Sequence, residues 1–162
     1  MAQRSIRRLP RQLVSRKLLS LALDDFSFFG SVPFYVFVTL TLFFIGNIEL
    51  FSRLAYSFLI SFILLLIIKN VHYKDRPRKE EFTMFMEKII ASSFPSSHSL
   101  DVTLLAIFFS IAYPFTWVIS MSAILCLLVY IQRYITKKHF IVDIIGGILI
   151  AIAIAVFVVK IL

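Results

Sequence analysis

The sequence predicts an all-α integral membrane bundle of five transmembrane helices, preceded by an N-terminal interfacial amphipathic helix. Three observations predict it. The 162 residues are 60% hydrophobic, with 18 Phe and a mean hydropathy of +0.93, which lies outside the range of soluble globular domains. Uncharged runs recur at lengths that suit a bilayer, and the basic residues sort to one side of the runs.

Residues 1–25 carry six basic residues and lead into an apolar run longer than a signal-peptide core, without a clear small-residue cleavage site. This run reads as retained. On a helical wheel Val14, Leu18, Leu21 and Ala22 share an arc opposite Gln12, Arg16 and Ser20, the pattern of a helix lying in the membrane interface. A basic arm without fixed structure is the alternative, since short isolated helices are marginal. Residues 26–162 then form a single transmembrane domain. Phe26 to Gly46 is uncharged and gives the first span, and Leu54 to Ile68 gives the second if Arg53 and Lys69 reach outward to the headgroups. Between Asp101 and Arg133 no residue is charged. That stretch is too long for one ordinary span, and Pro114 divides it, so two spans starting near Ser97 are expected. Phe140 to Val159 is the fifth, with Asp143 one turn inside its start and Gly146 and Gly147 available for close packing.

Five spans place the N-terminal arm, the 69–95 loop and the 133–139 loop on one face. That face holds all of the 17 Lys and Arg except Arg53 and Lys160. The positive-inside rule puts it in the cytoplasm. The net charge of +8 suits anionic headgroups or a phosphorylated substrate in such a chain, and nucleic acid is not expected as a partner. The one cysteine, Cys126, cannot form an intrachain disulfide.

Three stretches border the basic face: KNVHYKDRP at 69–77, FPSSHS at 94–99 and QRYITKKHFIVD at 132–143. Guanidinium and ammonium groups suit a tetrahedral phosphate, and residues 96–98 open a helix whose free amides favour an anion. His139 and Asp143 stand at i, i+4, a spacing that on a helix lets the carboxylate accept from one imidazole nitrogen and leaves the other as a lone pair. His139 is thus a candidate nucleophile and His98 a candidate general acid. Neither role needs a metal, and no cofactor is expected. Taken singly, Lys69 and Arg76 suit span anchors, Ser96 and Ser97 helix caps, and His72 a solvated loop; their placement on one face raises the functional reading.

Lys69 with Arg76-Pro77, then Pro95-Ser96-Ser97-His98, then Arg133, His139 and Asp143 together resemble the tripartite signature of the type-2 phosphatidic acid phosphatase superfamily, which includes lipid phosphate phosphatases and vanadium haloperoxidases. The match departs at Ser97, where the family usually has Gly, and at Gln132, where it usually has Ser. A serine at 97 adds a Cβ where backbone approaches phosphate and raises the expectation of strain. The resemblance implies that Lys69, Arg76, Ser96, Ser97 and Arg133 bind phosphate, that His139 forms a phosphohistidine, that Asp143 orients it and that His98 protonates the leaving oxygen. The five spans, the basic arm and the segment FTMFMEKIIASSFPSSH look most like the polyisoprenoid diphosphate phosphatases. The expected substrate is a polyisoprenyl phosphate or diphosphate, or a lipid of the phosphatidic acid type. A phosphotransferase and a weak pseudoenzyme that binds anionic lipid are the alternatives.

Overall fold

The computed structural model describes residues 25–77 and 92–162, and the N-terminal interfacial helix expected from the sequence lies outside them. The described residues form a short 3-10 helix, Asp25–Gly30, and five α-helices: α1, Val32–Phe44; α2, Ile48–Val71; α3, Ser97–Ala112; α4, Thr116–Ile135; and α5, Ile141–Ile161. Three of these, α2, α4 and α5, are long and apolar enough to cross a membrane, whereas α1 and α3 are shorter apolar helices. At 1.5 Å per residue, α1 reaches about 20 Å and α3 about 24 Å, less than the roughly 30 Å of a hydrocarbon core.

The first two expected spans are redrawn by local chemistry. Phe26 to Gly46 is not one helix, because Ser31 takes extended backbone, caps α1 by accepting from the Phe34 amide, and is followed by Pro33 in the first turn. Span two begins earlier than Leu54. Asn47 caps it through Oδ1 to the Leu50 amide, and Arg53 pairs with Glu49 at 2.8 Å one turn away, so the charges sit on the helix instead of ending it. Between these helices Gly46 holds φ +81°, and the Gly46 and Asn47 amides close onto the Phe43 and Leu42 carbonyls, a left-handed termination that glycine adopts freely. Pro114 does divide α3 from α4, as the sequence indicates.

Helix α3 is central: it packs against α5, α4, α2, α1 and the 3-10 helix. Ser99 through Leu105 are all buried, as is Phe108, the mark of a helix enclosed on most sides. Leu100, Leu104 and Phe108 form the main core with Tyr35, Leu54, Ala151, Ile154 and Val158. The Tyr35 hydroxyl is satisfied inside it by donating to the Leu54 carbonyl at 3.1 Å. Outward faces carry exposed Phe37, Leu59, Ile124, Leu149 and Val156, an apolar exterior that water would not tolerate and lipid does.

Close approach of α5 to the start of α3 is set by one glycine. A Cβ built on Gly147 would lie 2.5 Å from the Ser96 carbonyl oxygen and 3.2 Å from the Leu100 nitrogen, and backbone there cannot yield as a flexible side chain would. Gly147→Ala is therefore expected to destabilise the protein by about 1–3 kcal/mol, read as a lowered midpoint of thermal unfolding in detergent, while Ala at exposed Ile152 leaves the midpoint within error.

Candidate active site

Four helix ends converge on one end of the bundle. The last turn of α2 supplies Lys69, the first turn of α3 supplies Ser97 and His98, the last turn of α4 supplies Gln132 and Arg133, and the first turn of α5 supplies Asp143. Lys69, Arg133, His139 and Asp143 are all buried, although burial disfavours charge unless it is matched. The groups stand close enough to act on one another: Lys69 has the acidic Asp101 and Asp143 and the basic Arg76 and Arg133 around it, whereas the groups acting on His98, which are Arg133, His139, Lys138 and Lys69, are all basic. The sequence-predicted residues from all three stretches therefore meet in one place.

The segments on either side of residues 78–91 are joined by a short seam. The Ser93 amide donates to the Lys74 carbonyl at 2.7 Å, and the Lys74 amide donates to Ser92 Oγ at 3.2 Å. From this seam Lys74 extends inward, its ammonium 2.6 Å from Asp143 Oδ1 and 4.8 Å from the centroid of the Phe140 ring. Ser93 Oγ donates to Asp143 Oδ2, which also accepts from the Phe140 amide at 2.8 Å. Asp143, with no exposed surface, is thus met by three donors.

Two expectations change here. Asp143 was expected to hold His139 directly by helical i, i+4 spacing, but α5 begins at Ile141, so His139 lies before the helix and the spacing carries no helical geometry. Instead His139 Nδ1 bonds the Ser93 carbonyl oxygen at 2.8 Å. Since a carbonyl only accepts, Nδ1 carries the proton and Nε2 keeps the lone pair. The carboxylate thus reaches His139 through Ser93. Lys74, a basic residue of the KNVHYKDRP stretch given no role by its spacing, is the inner partner of Asp143. His72 is exposed, as expected of a loop residue.

Ser96 is the N-cap of α3. Its Oγ accepts from the Ser99 amide at 3.4 Å and from Ser99 Oγ at 2.9 Å, while its own amide donates to the Asp143 carbonyl at 3.0 Å. Its amide is thus engaged, while its hydroxyl accepts as a cap and keeps its own proton to donate. Ser97 opens the helix, where a first-turn amide has no intrahelical acceptor. Lys137 is the one described non-glycine residue at positive φ, +56°, so the strain expected at Ser97 does not arise. At Lys137 the chain leaves α4 through a left-handed turn, and the Lys138 and His139 amides both reach the Arg133 carbonyl, at 3.2 and 3.3 Å. The turn brings His139 back over the end of the helix that carries Arg133.

Sequence reasoning passed over Lys74, Ser93 and Asp101. Nothing distinguished Lys74 and Ser93 from their polar neighbours, because their roles arise from the seam. Asp101 carried a readable signal, an ionisable residue within an apolar helix; it is 2% exposed and acts on Lys69. Among the described residues, no three of His, Cys, Asp and Glu gather as metal ligands.

His139 lies outside the helices, and burial, then the Arg133 charge, with smaller contributions from Arg76 and Lys69, press its pKa down to about 3 against a partial opposing effect of the Ser93 bond. Its imidazole is neutral at physiological pH.

Fold and site together define a membrane helical bundle with basic and histidine side chains gathered at one end. The profile of the PAP2 superfamily matches residues 50–162, and the chain belongs to that superfamily. Among solved structures it is similar to LpxE from Aquifex aeolicus, with a TM-score of 0.74, 21% identity, and coverage of 95% of this chain and 88% of the other. It is also similar to a transmembrane PAP2 type phosphatidylglycerolphosphate phosphatase from Bacillus subtilis, with a TM-score of 0.60, 20% identity, and coverage of 96% and 78%. No curated protein matches the sequence.

Removing the ammonium by Lys74→Met leaves the Asp143 carboxylate buried with two neutral donors. Because 32% of the Lys74 side chain is exposed, the expected loss is roughly 1–3 kcal/mol, below the 3–5 of a fully buried pair. Chemical or thermal unfolding in detergent measures it. For His139, a folded pKa below the ordinary 6.5 means that the unfolded chain takes up the proton first. Its contribution to stability is therefore present above 6.5 and is lost as pH falls toward about 3. Nitrogen-15 spectra of histidine-labelled protein should show His139 as the Nδ1–H tautomer without titration between about pH 5 and 8; titration near 6.5 contradicts the assignment.

Proposed function

We propose that this protein is an integral membrane lipid phosphatase that hydrolyses the phosphomonoester or diphosphate of a lipid through a phosphohistidine, without a metal. The observation that carries the reading is the Nδ1 bond of His139 to the Ser93 carbonyl, which leaves the lone pair on Nε2 of a ring that feels the charges of Arg133, Arg76 and Lys69. A neutral imidazole beside three cations is a nucleophile placed where an anion is drawn in. Membership of the PAP2 superfamily and the fold shared with a phosphatidylglycerolphosphate phosphatase support it.

In this mechanism Lys69, Arg76, Arg133, the Ser96 hydroxyl and the Ser97 amide hold the phosphate oxygens. The Nε2 lone pair bonds to phosphorus while the bond from phosphorus to the lipid oxygen breaks, and that oxygen takes a proton from His98, which takes one up once the anionic phosphate lies among the cations, to leave as the alcohol. With a diphosphate, the lipid monophosphate leaves instead. Water then attacks phosphorus and returns a proton to His98, the N–P bond breaks with its electron pair going back to Nε2, and inorganic phosphate departs. Asp143 steadies His139 through Ser93. The positive charge that develops on the phosphorylated imidazole is met by the Ser93 carbonyl.

We further propose that all five helices span, with α1 and α3 crossing a bilayer thinned around them or lying beside longer neighbours. Residues 1–25 then form a basic interfacial segment attached to a single transmembrane domain, 26–162. The site and the N-terminus face the cytoplasm, because the site-bearing helix ends also carry the excess of Lys and Arg. A pseudoenzyme is weighed because of the Ser97 departure, and the helical backbone at Ser97, without positive φ, supports the catalytic reading.

Purified protein should release phosphate from isoprenyl phosphates, isoprenyl diphosphates or phosphatidic acid, with vanadate inhibiting and a chelator leaving the rate unchanged. His139→Ala should lower turnover at least about 1,000-fold while His72→Ala stays near wild type, and an acid-labile phosphoprotein should be trapped on rapid quenching. Chelator-sensitive activity restored by a divalent ion contradicts the mechanism.

A further inference from the structure

Lys74, Asp143 and Ser93 close a ring in which each residue is bonded to the other two. The Lys74 ammonium lies 2.6 Å from Asp143 Oδ1, the Ser93 hydroxyl donates to Asp143 Oδ2, and the Ser93 amide donates to the Lys74 carbonyl at 2.7 Å. The three members come from separate stretches of chain: after α2, before α3 and in the first turn of α5. His139 is attached to the ring at two points. Its Nδ1 donates to the Ser93 carbonyl oxygen at 2.8 Å, and the amide of the next residue, Phe140, donates to Asp143 Oδ2 at 2.8 Å. Ser93 and Asp143 are wholly buried and His139 nearly so, so a lost bond leaves a buried polar group unmatched.

We infer that Ser93 and Lys74 are positioning residues for the nucleophile: Ser93 holds the His139 imidazole through its main chain, and Lys74 holds Ser93 both directly and through Asp143. The inference rests on the phosphatase reading above and deepens it by assigning the hold on His139 to a peptide group backed by two side chains. Ser92 and Ser93 belong to no helix, so no helical ladder sets the direction of the Ser93 carbonyl. The two bonds that Ser93 makes to the ring set it instead. A carbonyl acceptor has a further consequence, since it has no proton to offer Nδ1 and the Nδ1–H form persists whether residue 143 is an acid or an amide. Where a carboxylate bonds the imidazole directly, an amide in its place can donate and turn the ring to the other tautomer. Lys69, Arg76 and Arg133 are not members of the ring, and Ser96 meets it only through the Asp143 backbone carbonyl. Losing a ring side chain therefore shifts the nucleophile relative to phosphorus while the phosphate contacts stay, and the loss falls on kcat.

The test uses the full-length protein in detergent, below its unfolding midpoint. Ser93→Ala and Lys74→Met should each lower kcat about 10- to 100-fold, with KM and the inhibition constant for vanadate within about threefold of the unaltered protein. Lys74→Arg, whose guanidinium still reaches the carboxylate, should recover most of the rate. Because the two residues act in series, combining Ser93→Ala with Lys74→Met should cost no more than about twofold beyond the worse single change. Fully additive losses, or a loss of vanadate affinity as large as the loss of kcat, overturn the inference. Nitrogen-15 spectra of histidine-labelled Asp143→Asn should still show His139 as Nδ1–H, and conversion to Nε2–H overturns it. That measurement needs no substrate, so it decides even where a variant is too unstable for kinetics. Absence of phosphate release from unaltered protein, with Nδ1–H kept in Asp143→Asn, refutes the phosphatase reading and leaves the ring as the hold on His139.

Discussion

A single carboxylate organises the end of the bundle. Asp143 is fully buried, so its charge has to be met within the protein, and the donors that meet it come from three separate stretches: Lys74 after α2, Ser93 before α3, and the Phe140 amide at the start of its own helix. Its backbone carbonyl is engaged too, accepting from Ser96. An acid at this depth without those partners would be expelled or neutralised. Folding of the connections is therefore coupled to the docking of α5, and the same event places the Ser93 carbonyl against His139. Orientation of the imidazole is a by-product of satisfying the acid.

Around that fixed point the other groups are arranged to want an anion. Lys69, Arg76 and Arg133 act on one another as like charges, which costs free energy in a partly dry site unless something negative lies between them. Asp101, buried in α3, faces Lys69. Asp143 is already paired with Lys74, so the three cations are short of negative charge, which a bound phosphate would supply in the proposed mechanism. Neutrality of His139 belongs to the same balance: burial and the cations around it keep the proton off its ring. In the proposed mechanism, binding and activation are thus not separate features of the site.

The architecture was largely legible in the sequence because its signals are long and apolar. Pro114 announced the break between α3 and α4, and Gly146 and Gly147 announced a close approach; the structure places Gly146 against the Phe94 ring and Gly147 against the start of α3. Boundaries were less legible where charges compensate locally. Arg53 looked like the end of a span until its Glu49 partner was in view. The site residues could be collected from spacing, since His98, Arg133 and His139 sit at helix ends that the bundle must bring together. What spacing could not give is the wiring. Helical i, i+4 geometry requires a helix, and His139 precedes one, so the bond that would have gone to Asp143 goes to a carbonyl no sequence pattern marks.

The seam between Lys74 and Ser92–Ser93 changes what the chain between them has to do. Two of its bonds use backbone groups of Lys74, and one of them is backbone to backbone, so the ends of the connection are pinned to each other whatever residues lie between. Loop-closure entropy rises only with the logarithm of length, by about 0.6 kcal/mol per doubling. Residues 78–91 are thereby released from the task of setting the spacing between the Lys69–Arg76 stretch and α3. In evolution or in engineering, the length of chain between the two sides of the seam can change while the groups held on either side of it stay in register.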